Sequence, residues 1–360
     1  MSKKVLIVAS HYRDRSPGQR FRFEQYLDYL AEKGFECHLS NIITPEDDRM
    51  LYRPGHYFKK FLFTRKAHQR RKADLRNIDQ YDIVFIFREA LLTRSMYFEK
   101  QFSASKAKVV FDFDDAIWLS NVSNANRWFK WLKNPGKTGH LIALADVVFA
   151  GNDYLKAYAA QFNSNIRIVP TTIDTDEYKR VALPPREPVC IGWSGSITTI
   201  QHFEFALPFL RQIKKRFGDR VSIKVIGDGN YRHEELGIKG IPWNKKDELK
   251  ELSGIDIGIM PLPDDEWAKG KCGLKGLQYM ALEIPTIMSP VGVNSEIIDD
   301  GRNGFLANRP EEWVDKITRL IESAEMRQQL GTAARQTVID HYSVFAHRDR
   351  YVQFFKELLN

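Results

Sequence analysis

Residues 271–305 read KCGLKGLQYMALEIPTIMSPVGVNSEIIDDGRNGF and combine two lysines with several glycine-containing turns. Lys271 and Lys275 flank Gly273, just before a predicted helix at Gly276–Leu282. Backbone N–H groups at a helix start and lysine ammonium groups both attract phosphate. Glycines allow a charged ligand to approach the backbone closely. The segment therefore predicts a phosphate-binding turn at a strand end.

Outward from this segment, short apolar runs alternate with helical patterns along the whole chain. Such alternation indicates parallel sheets with helices on both faces. A chain of 360 residues is too long for one compact core. The predicted fold class is therefore α/β, with two doubly wound, Rossmann-like domains facing a cleft, residues 1–180 and 181–344.

The predicted strands are Val5–Ala9, Phe35–Leu39, Ile83–Phe87, Val109–Phe113, Val147–Ala150 and Ile166–Val169 in the first half, and Val189–Trp193, Ser222–Ile226, Ile255–Met260 and Thr286–Ser289 in the second. Between the halves, Pro170–Pro188 contains Pro184-Pro185 and is predicted to be a linker. Ligands of such sheets bind at the carboxyl ends of the strands, so functional residues are expected there.

Composition restricts the class of protein. Hydrophobic residues make up 43% and charged residues 28% of the chain, as in ordinary globular proteins. The three cysteines (Cys37, Cys190 and Cys272) lack disulfide or metal-ligand spacing, which favours a reducing compartment. The apolar run Val5–Ala9 is too short for a signal peptide. We therefore expect a cytoplasmic protein, either free or peripheral on the inner face of the membrane.

The formal net charge of +8 is concentrated in one segment. Residues 53–76 contain nine Lys or Arg against the single acid Asp74, with Phe58, Phe61 and Leu62 at helical spacing. A basic helix with an apolar stripe favours anionic lipid headgroups. A solvated helix whose stripe packs on its domain explains the pattern equally well. No nucleic-acid-reading motif accompanies the charge, so no nucleic-acid partner is expected.

Several segments of the second half resemble, in order and spacing, the donor-binding half of the GT-B glycosyltransferases of family 4, the group 1 type. These segments are Ile255–Leu262, Gly273–Ala281, Pro285–Gly292, Glu296 and Gly301–Phe305. The resemblance implies that a sugar moves from a nucleotide-diphospho-sugar to an acceptor hydroxyl with retention, without metal or other cofactor. It also implies that a C-terminal helix, residues 345–360, crosses back to the first domain. A saccharide or lipid-linked acceptor, in cell-surface polysaccharide or glycolipid assembly, is the expected context.

On this resemblance, Lys271 and Lys275 neutralise the departing diphosphate, and Gly195 and Ser196 lie beneath it. The other predicted donor contacts are Gly227, Asp228, Trp243, Gly273, Gln278, Asn294 and Glu296. Trp243 is a base contact or a core residue, and Ser196 is a phosphate ligand or a helix cap. The family's pair of glutamates falls on Gly270 and Gln278; an amide still hydrogen-bonds ribose hydroxyls, without charge assistance.

An acidic quartet, DFDD at 112–115, ends a strand of the first domain. Alternation places Asp112 and Asp114 on one face, with Asp115 at the turn. One of them is predicted to accept the acceptor's proton, or all three cap the turn. Four residues of the first loop are assigned to the acceptor or phosphate side, or to pairing with surface carboxylates: His11, Gly18, Arg20 and Arg22.

Two other functions fit the same fold. A non-hydrolysing nucleotide-sugar epimerase would isomerise the donor without an acceptor. A non-catalytic sugar-nucleotide-binding protein is the second, because the first glutamate is missing. The quartet 112–115 also resembles the nucleophile motif of haloacid-dehalogenase phosphatases, but Ala116 stands where that motif has Thr or Val, and the quartet lies in the middle of the chain. It resembles the metal-binding DxD of another glycosyltransferase fold as well, but that fold does not explain the second doubly wound half.

Overall fold

The computed structural model describes residues 2–51, 55–119, 136–184 and 187–360. The chain divides into two compact units. Unit 1 comprises Met1–Pro170 and Arg348–Asn360, and unit 2 comprises Thr171–His347, so the first boundary follows Pro170 rather than residue 180. Each unit contains one six-stranded parallel sheet with helices between its strands. The predicted α/β fold class of two doubly wound domains is confirmed.

Unit 1 has the strand order β2-β1-β3-β4-β5-β6, with every pairing parallel. Its strands are β1 Lys3–Ala9, β2 Phe35–Asn41, β3 Ile83–Phe87, β4 Lys108–Phe113, β5 Val147–Ala150 and β6 Ile166–Ile168. Its described helices are α1 Pro17–Arg20, α2 Leu27–Glu32, α3 Pro45–Leu51, α4 Tyr57–Arg76, α5 Tyr97–Ser103, α6 Lys137–Leu144 and α7 Asp153–Ala159. All five residues of β3, IVFIF, are buried, as expected for a strand covered on both faces.

Unit 2 has the strand order β11-β8-β7-β12-β13-β14 and a separate antiparallel pair, β9 with β10. Its strands are β7 Val189–Ser194, β8 Val221–Gly227, β9 Arg232–His233, β10 Ile238–Lys239, β11 Ile241–Pro242, β12 Ile257–Met260, β13 Thr286–Met288 and β14 Phe305–Leu306. Its helices are α8 Ile200–Glu204, α9 Leu207–Phe217, α10 Glu248–Ser253, α11 Glu266–Lys269, α12 Leu274–Ala281, α13 Asn294–Ile297, α14 Pro310–Glu322 and α15 Ala324–Thr337.

The last helix, α16, spans Val344–Leu359, and its residues from Arg348 onward belong to unit 1. There Tyr351 stacks on Tyr26 with ring centroids 4.6 Å apart, and Phe355 contacts Phe35 edge-on at 5.5 Å. Aromatic contacts of this kind add to the burial of apolar area. None of the helices in the described ranges is long and apolar enough to cross a bilayer.

The predicted linker Pro170–Pro188 is wrong in its first half. Ile173 forms a parallel bridge with Ser343, and the hydroxyl of the buried Tyr178 donates to Glu248 at 2.8 Å, so this stretch packs into unit 2. Proline content suggested a linker, but long-range contacts decided otherwise. Pro185 lies outside the described residues, as does Arg53 of the basic segment.

Candidate functional site

The turn before α12 depends on Gly273. This residue has φ +69° and is the N-cap of the helix, and a Cβ there would lie 2.3 Å from Ile297 Cδ1. Only glycine combines this left-handed backbone with such a close approach. The helix consequently starts at Leu274, two residues before the predicted start at Gly276, and Lys275 lies in its first turn.

The two lysines each sit over an indole ring. Lys271 Nζ lies 4.5 Å from the ring centroid of Trp267, and Lys275 Nζ lies 5.5 Å from that of Trp193. Both side chains are partly buried. Because the negative face of an aromatic ring attracts a cation, these contacts orient the ammonium groups. Lys271 and Lys275 are therefore held in place rather than extended into solvent.

His202 on α8 connects the two lysines electrostatically. Its side chain is buried, and no described residue hydrogen-bonds its Nδ1. Burial first, then the charges of Lys275 and Lys271, lower the pKa of this imidazole to about 4, and Asp265 opposes them weakly. The imidazole is therefore neutral near pH 7. Sequence reasoning missed His202, because one histidine in a five-residue helix has no local signature.

Two glycines bring the carboxyl ends of β7 and β8 together. Gly195 N donates to Ile226 O at 2.9 Å, and a Cβ on Gly195 would lie 2.2 Å from the Trp193 ring. A Cβ on Gly227, which has φ +135°, would lie 2.1 Å from Gly195 O. Since Lys275 lies over the same Trp193 ring, the structure gathers this lysine and both glycines at one sheet end.

The polar neighbours of these glycines serve turns. Ser196 N donates to Thr199 Oγ1 at 3.0 Å, and Ser196 Oγ lies 2.9 Å from Thr198 Oγ1. Asp228 Oδ1 accepts from Asn230 N at 2.9 Å. Ser196 is therefore the N-cap residue of the turn Ile197–Thr199, and the Thr199 side chain accepts from its backbone N–H; contacts of Ser196 and Asp228 with a diphosphate stay predictions.

A second group of side chains surrounds the carboxylate of Glu248, at the start of α10. Its Oε1 accepts from Trp243 Nε1 at 2.9 Å and lies 3.3 Å from Gln278 Nε2, while its Oε2 accepts from the Tyr178 hydroxyl at 2.8 Å. Gln278 Nε2 also donates to the Tyr178 oxygen at 3.2 Å. Trp243 and Gln278, both predicted donor contacts, therefore share one buried carboxylate that sequence reasoning missed.

Asn294 and Glu296 lie on α13 but in different environments. Asn294 is fully buried, and its Nδ2 donates to Ser289 O at 3.0 Å. Its Oδ1 has no hydrogen-bond partner within the described ranges and lies 3.8 Å from the Cβ position of Gly273. Glu296 is exposed, and its charge adds to burial in raising the pKa of Tyr342 to about 12. The structure thus places Asn294 beside the lysine-bearing turn, and the donor contact of Glu296 stays a prediction.

In unit 1, two arginines hold two carboxylates of the acidic quartet. Asp112 and Arg22 form a buried bidentate pair, with Arg22 Nε donating to Asp112 Oδ2 at 3.2 Å and Arg22 Nη2 donating to Oδ1. Arg22 also donates to the carbonyl of Val169. Arg88 donates twice to Asp114 Oδ1, from Nε at 2.8 Å and Nη2 at 2.6 Å. Arg22 and Asp112 are therefore paired with each other in the interior of unit 1.

The remaining predicted site residues of unit 1 differ in their surroundings. A Cβ on Gly18 would lie 3.1 Å from Asp114 Oδ2, so the first loop touches the quartet. Asp115 is partly exposed and accepts from its neighbour Ala116 N at 3.0 Å. Burial first, and then Arg15, lower the pKa of His11 to about 4. Arg20 is buried, with its guanidinium 4.9 Å from the Phe21 ring.

The basic segment forms α4, and its two faces differ. Phe63 and Ala67 are buried, as is Arg71, whose guanidinium donates to Ala9 O and Ala90 O at 2.8 Å each. Tyr57, Phe58, Phe61 and Leu62 are 74%, 73%, 58% and 39% exposed. The alternative that this apolar stripe packs on the domain is therefore wrong, and Arg71 is an internal anchor of the helix.

The match to a known family covers the second sheet. Residues 188–323 match the family model described as "Glycosyl transferases group 1". Among curated proteins, 62 residues are 35% identical to spore coat protein SA of Bacillus subtilis (16% of each chain), and 66 residues are 38% identical to the uncharacterized glycosyltransferase MJ1178 of Methanocaldococcus jannaschii (18% of this chain, 19% of the relative). These matches span less than a fifth of either relative.

Solved structures match over the whole length. A glycosyltransferase of Rickettsia africae has a TM-score of 0.68 at 15% identity, with 100% of this chain and 99% of that chain covered. Sucrose-phosphate synthase of Thermosynechococcus elongatus has 0.71 at 14%, with 99% of each chain covered. Anabaena HepE in complex with UDP and glucose has 0.68 at 11%, covering 99% and 100%. At these identities the likeness shows the fold, and the fold is GT-B. Residues 188–323 therefore match the group 1 glycosyl transferases, within a chain that has the GT-B fold.

Proposed function

We propose that this protein transfers a sugar from a nucleotide-diphospho-sugar to an acceptor hydroxyl. The observation that supports the donor site best is the placement of Lys271 and Lys275 over two indole rings, with Lys275 beside the Gly195–Gly227 junction. Two ammonium groups next to glycine backbone at a sheet end suit a diphosphate in both charge and shape.

The lysines would act on the leaving group. Breaking the bond between the anomeric carbon and the diphosphate oxygen leaves negative charge on that oxygen. Ammonium groups that are oriented beforehand stabilise this charge without reorganising. His202 is neutral because of burial and both lysines, so it adds no further positive charge to the region at pH 7. A bound diphosphate would offset the lysines and raise the pKa of His202.

The acceptor would be activated by an aspartate of unit 1. Asp112 is buried against Arg22, whereas Asp114 and Asp115 are partly exposed. We propose that Asp114 or Asp115 accepts the proton of the acceptor hydroxyl while that oxygen bonds to the anomeric carbon. Retention of configuration and membership of family 4 rest on the resemblance of the sequence, and NMR of the product's anomeric proton tests the first.

A thermal-shift panel tests donor binding. A ligand that binds only the native state raises the melting temperature. UDP, GDP, ADP and their sugars would be compared, starting with UDP-glucose because HepE has been solved with it. We expect one nucleoside diphosphate to raise the melting temperature well above the others. No shift with any of them would overturn the proposal.

Turnover assays separate the three functions. A transferase consumes the sugar nucleotide only with an acceptor, and an epimerase converts it alone into an isomer. Binding without consumption, over a broad acceptor panel, would favour the non-catalytic protein. We expect consumption that depends on the acceptor, with release of the nucleoside diphosphate.

We also propose that α4 contacts an anionic membrane surface, where a lipid-linked acceptor would lie. Helical geometry places Arg65, Lys72 and Arg76 on the same face as Phe58 and Phe61, opposite the buried residues of the helix. Exposed aromatic rings enter the headgroup region, and basic side chains attract anionic lipid, each contributing about 1 kcal/mol near the surface. Cell-surface polysaccharide or glycolipid assembly is the corresponding context.

Vesicle sedimentation tests this surface. We expect the protein to sediment with phosphatidylserine-containing vesicles and not with pure phosphatidylcholine vesicles, and binding to weaken with salt. Phe58→Ser/Phe61→Ser should abolish binding, whereas Lys215→Ala, on an exposed position of α9, should not alter it. Equal sedimentation with both vesicle types would exclude the role of charge.

A further inference from the structure

We propose that Glu248 is the positioning residue for the nucleoside half of the donor, through Gln278 on one side and Trp243 on the other. This inference rests on the proposed function and deepens it. Glu248 is only 6% exposed. Its carboxylate accepts hydrogen bonds from Tyr178, Trp243 and Gln278, which come from separate parts of unit 2.

The carboxylate determines which way the Gln278 amide faces. An ionised carboxylate only accepts hydrogen bonds, so the amide nitrogen, and not its oxygen, must face Glu248 Oε1 at 3.3 Å. The same nitrogen lies 3.2 Å from the Tyr178 hydroxyl oxygen, whose proton is directed to Glu248 Oε2 at 2.8 Å. Reversing the amide would set two acceptors against each other.

With its nitrogen engaged, Gln278 presents its oxygen as an acceptor. Within the described ranges no residue donates to Gln278 Oε1. A fixed acceptor oxygen selects a donor group on the ligand. The hydroxyls of a ribose are the donors that a nucleotide offers next to its diphosphate.

Glu248 also anchors the indole of Trp243. The indole nitrogen donates to Glu248 Oε1 at 2.9 Å, and the ring is only partly buried, directly after β11. An indole tied by its N–H presents a ring face for stacking on a nucleobase. One carboxylate therefore aligns a base-stacking ring with a hydroxyl acceptor.

Calorimetric titration of Glu248→Gln with UDP, GDP, ADP and inorganic pyrophosphate tests this role. The substitution places an amide N–H, which cannot accept a hydrogen bond, among the donors that Glu248 normally accepts from. Because one or two net hydrogen bonds are lost, we expect the preferred nucleoside diphosphate to bind about tenfold more weakly. Pyrophosphate lacks a nucleoside, so its affinity should stay unchanged. Tyr178→Phe, which removes only one hydroxyl, should give a smaller loss in the same direction.

The exchange Glu248→Gln/Gln278→Glu keeps one carboxylate and one amide in contact and should restore nucleoside diphosphate binding. Unchanged nucleoside diphosphate affinity in Glu248→Gln would overturn the inference alone. Equal losses for nucleoside diphosphate and pyrophosphate would also overturn it, because Glu248 would then act only on the fold. If the wild type binds no nucleoside diphosphate, both this inference and the proposed function are wrong.

Discussion

Gly227 approaches Gly195 so closely that a Cβ at position 227 would lie 2.1 Å from the carbonyl oxygen of Gly195. The carboxyl ends of β7 and β8 thus meet backbone to backbone. No side chain stands between them, so the surface they form together is made of peptide groups. Lys275 lies over the ring of Trp193, and this ring is next to Gly195. The placement of this lysine therefore depends on two residues that have no side chain.

Gly227→Ala should disrupt both the fold and the proposed donor site. The substitution combines a backbone conformation that alanine disfavours with a clash against backbone, so we expect a loss of about 3 kcal/mol in the free energy of unfolding. Gly237→Ala is the matched control: its φ is +64°, but nothing lies within 4 Å of the added Cβ, and about 1 kcal/mol is expected. Urea denaturation measures both. Equal losses in the two variants would contradict the role of the close approach.

Lys275→Ala should lower kcat by about 100-fold or more, the usual effect of removing one preorganised group that stabilises developing charge. The fold should survive, because the side chain is only partly buried. Lys215→Ala, exposed on α9 of the same unit, controls for a general loss of positive charge. Steady-state kinetics with the identified donor provide the measurement. Normal turnover by Lys275→Ala would refute the assigned role.

Asp112→Asn should destabilise unit 1 by about 3 kcal/mol, because it leaves the Arg22 guanidinium buried without its counter-charge. Asp114→Asn and Asp115→Asn should instead slow transfer with smaller effects on stability, since these side chains are partly exposed. Denaturation and initial rates, measured on all three variants, separate the roles. A slow but fully stable Asp112→Asn variant would return Asp112 to the catalytic candidates.

His202 should make stability depend on pH. Its folded pKa is about 4, below the ordinary histidine value of 6.5, so between these values the unfolded chain binds a proton that the folded chain does not. Stability must therefore fall as the pH drops from 6.5 to 4, with a slope of up to about 1.4 kcal/mol per pH unit from this group. His11, whose pKa is also lowered, makes stability fall over the same pH range, and it is unchanged in the control variant described next.

The control for this prediction is His202→Gln, which removes the ionisable group and should reduce the slope over that pH range. Bound pyrophosphate should raise the pKa of His202, because the negative charges of pyrophosphate offset those of Lys271 and Lys275. NMR titration of labelled histidines, with and without pyrophosphate, tests this expectation. An imidazole that titrates near 6.5 in the free protein would contradict its buried, cation-facing position.

The sequence alone determined the class of fold and the positions of most strands. Strands of a covered parallel sheet are continuous apolar runs, so IVFIF at 83–87 and the runs at 147–150 and 286–288 were recognisable locally. The two-residue edge strands β11 and β14 were missed, because so short a stretch carries no periodicity. Gly273 was recognised as a turn residue, but its left-handed cap moved the helix start to Leu274.

Only the tertiary structure decided which polar groups meet. Arg22 and Asp112 are 90 residues apart in sequence, and Gln278 and Tyr178 are 100 apart, so no local pattern relates them. Glu248 and His202 carry no motif, and they became visible only where the fold buries them among charged or hydrogen-bonding partners. The physical reason is that the spacing of apolar residues along the chain shows only which face of a helix or strand is buried. A buried polar group instead needs a hydrogen-bonding or charged partner to offset the cost of its burial, and the chain can supply that partner from a distant position.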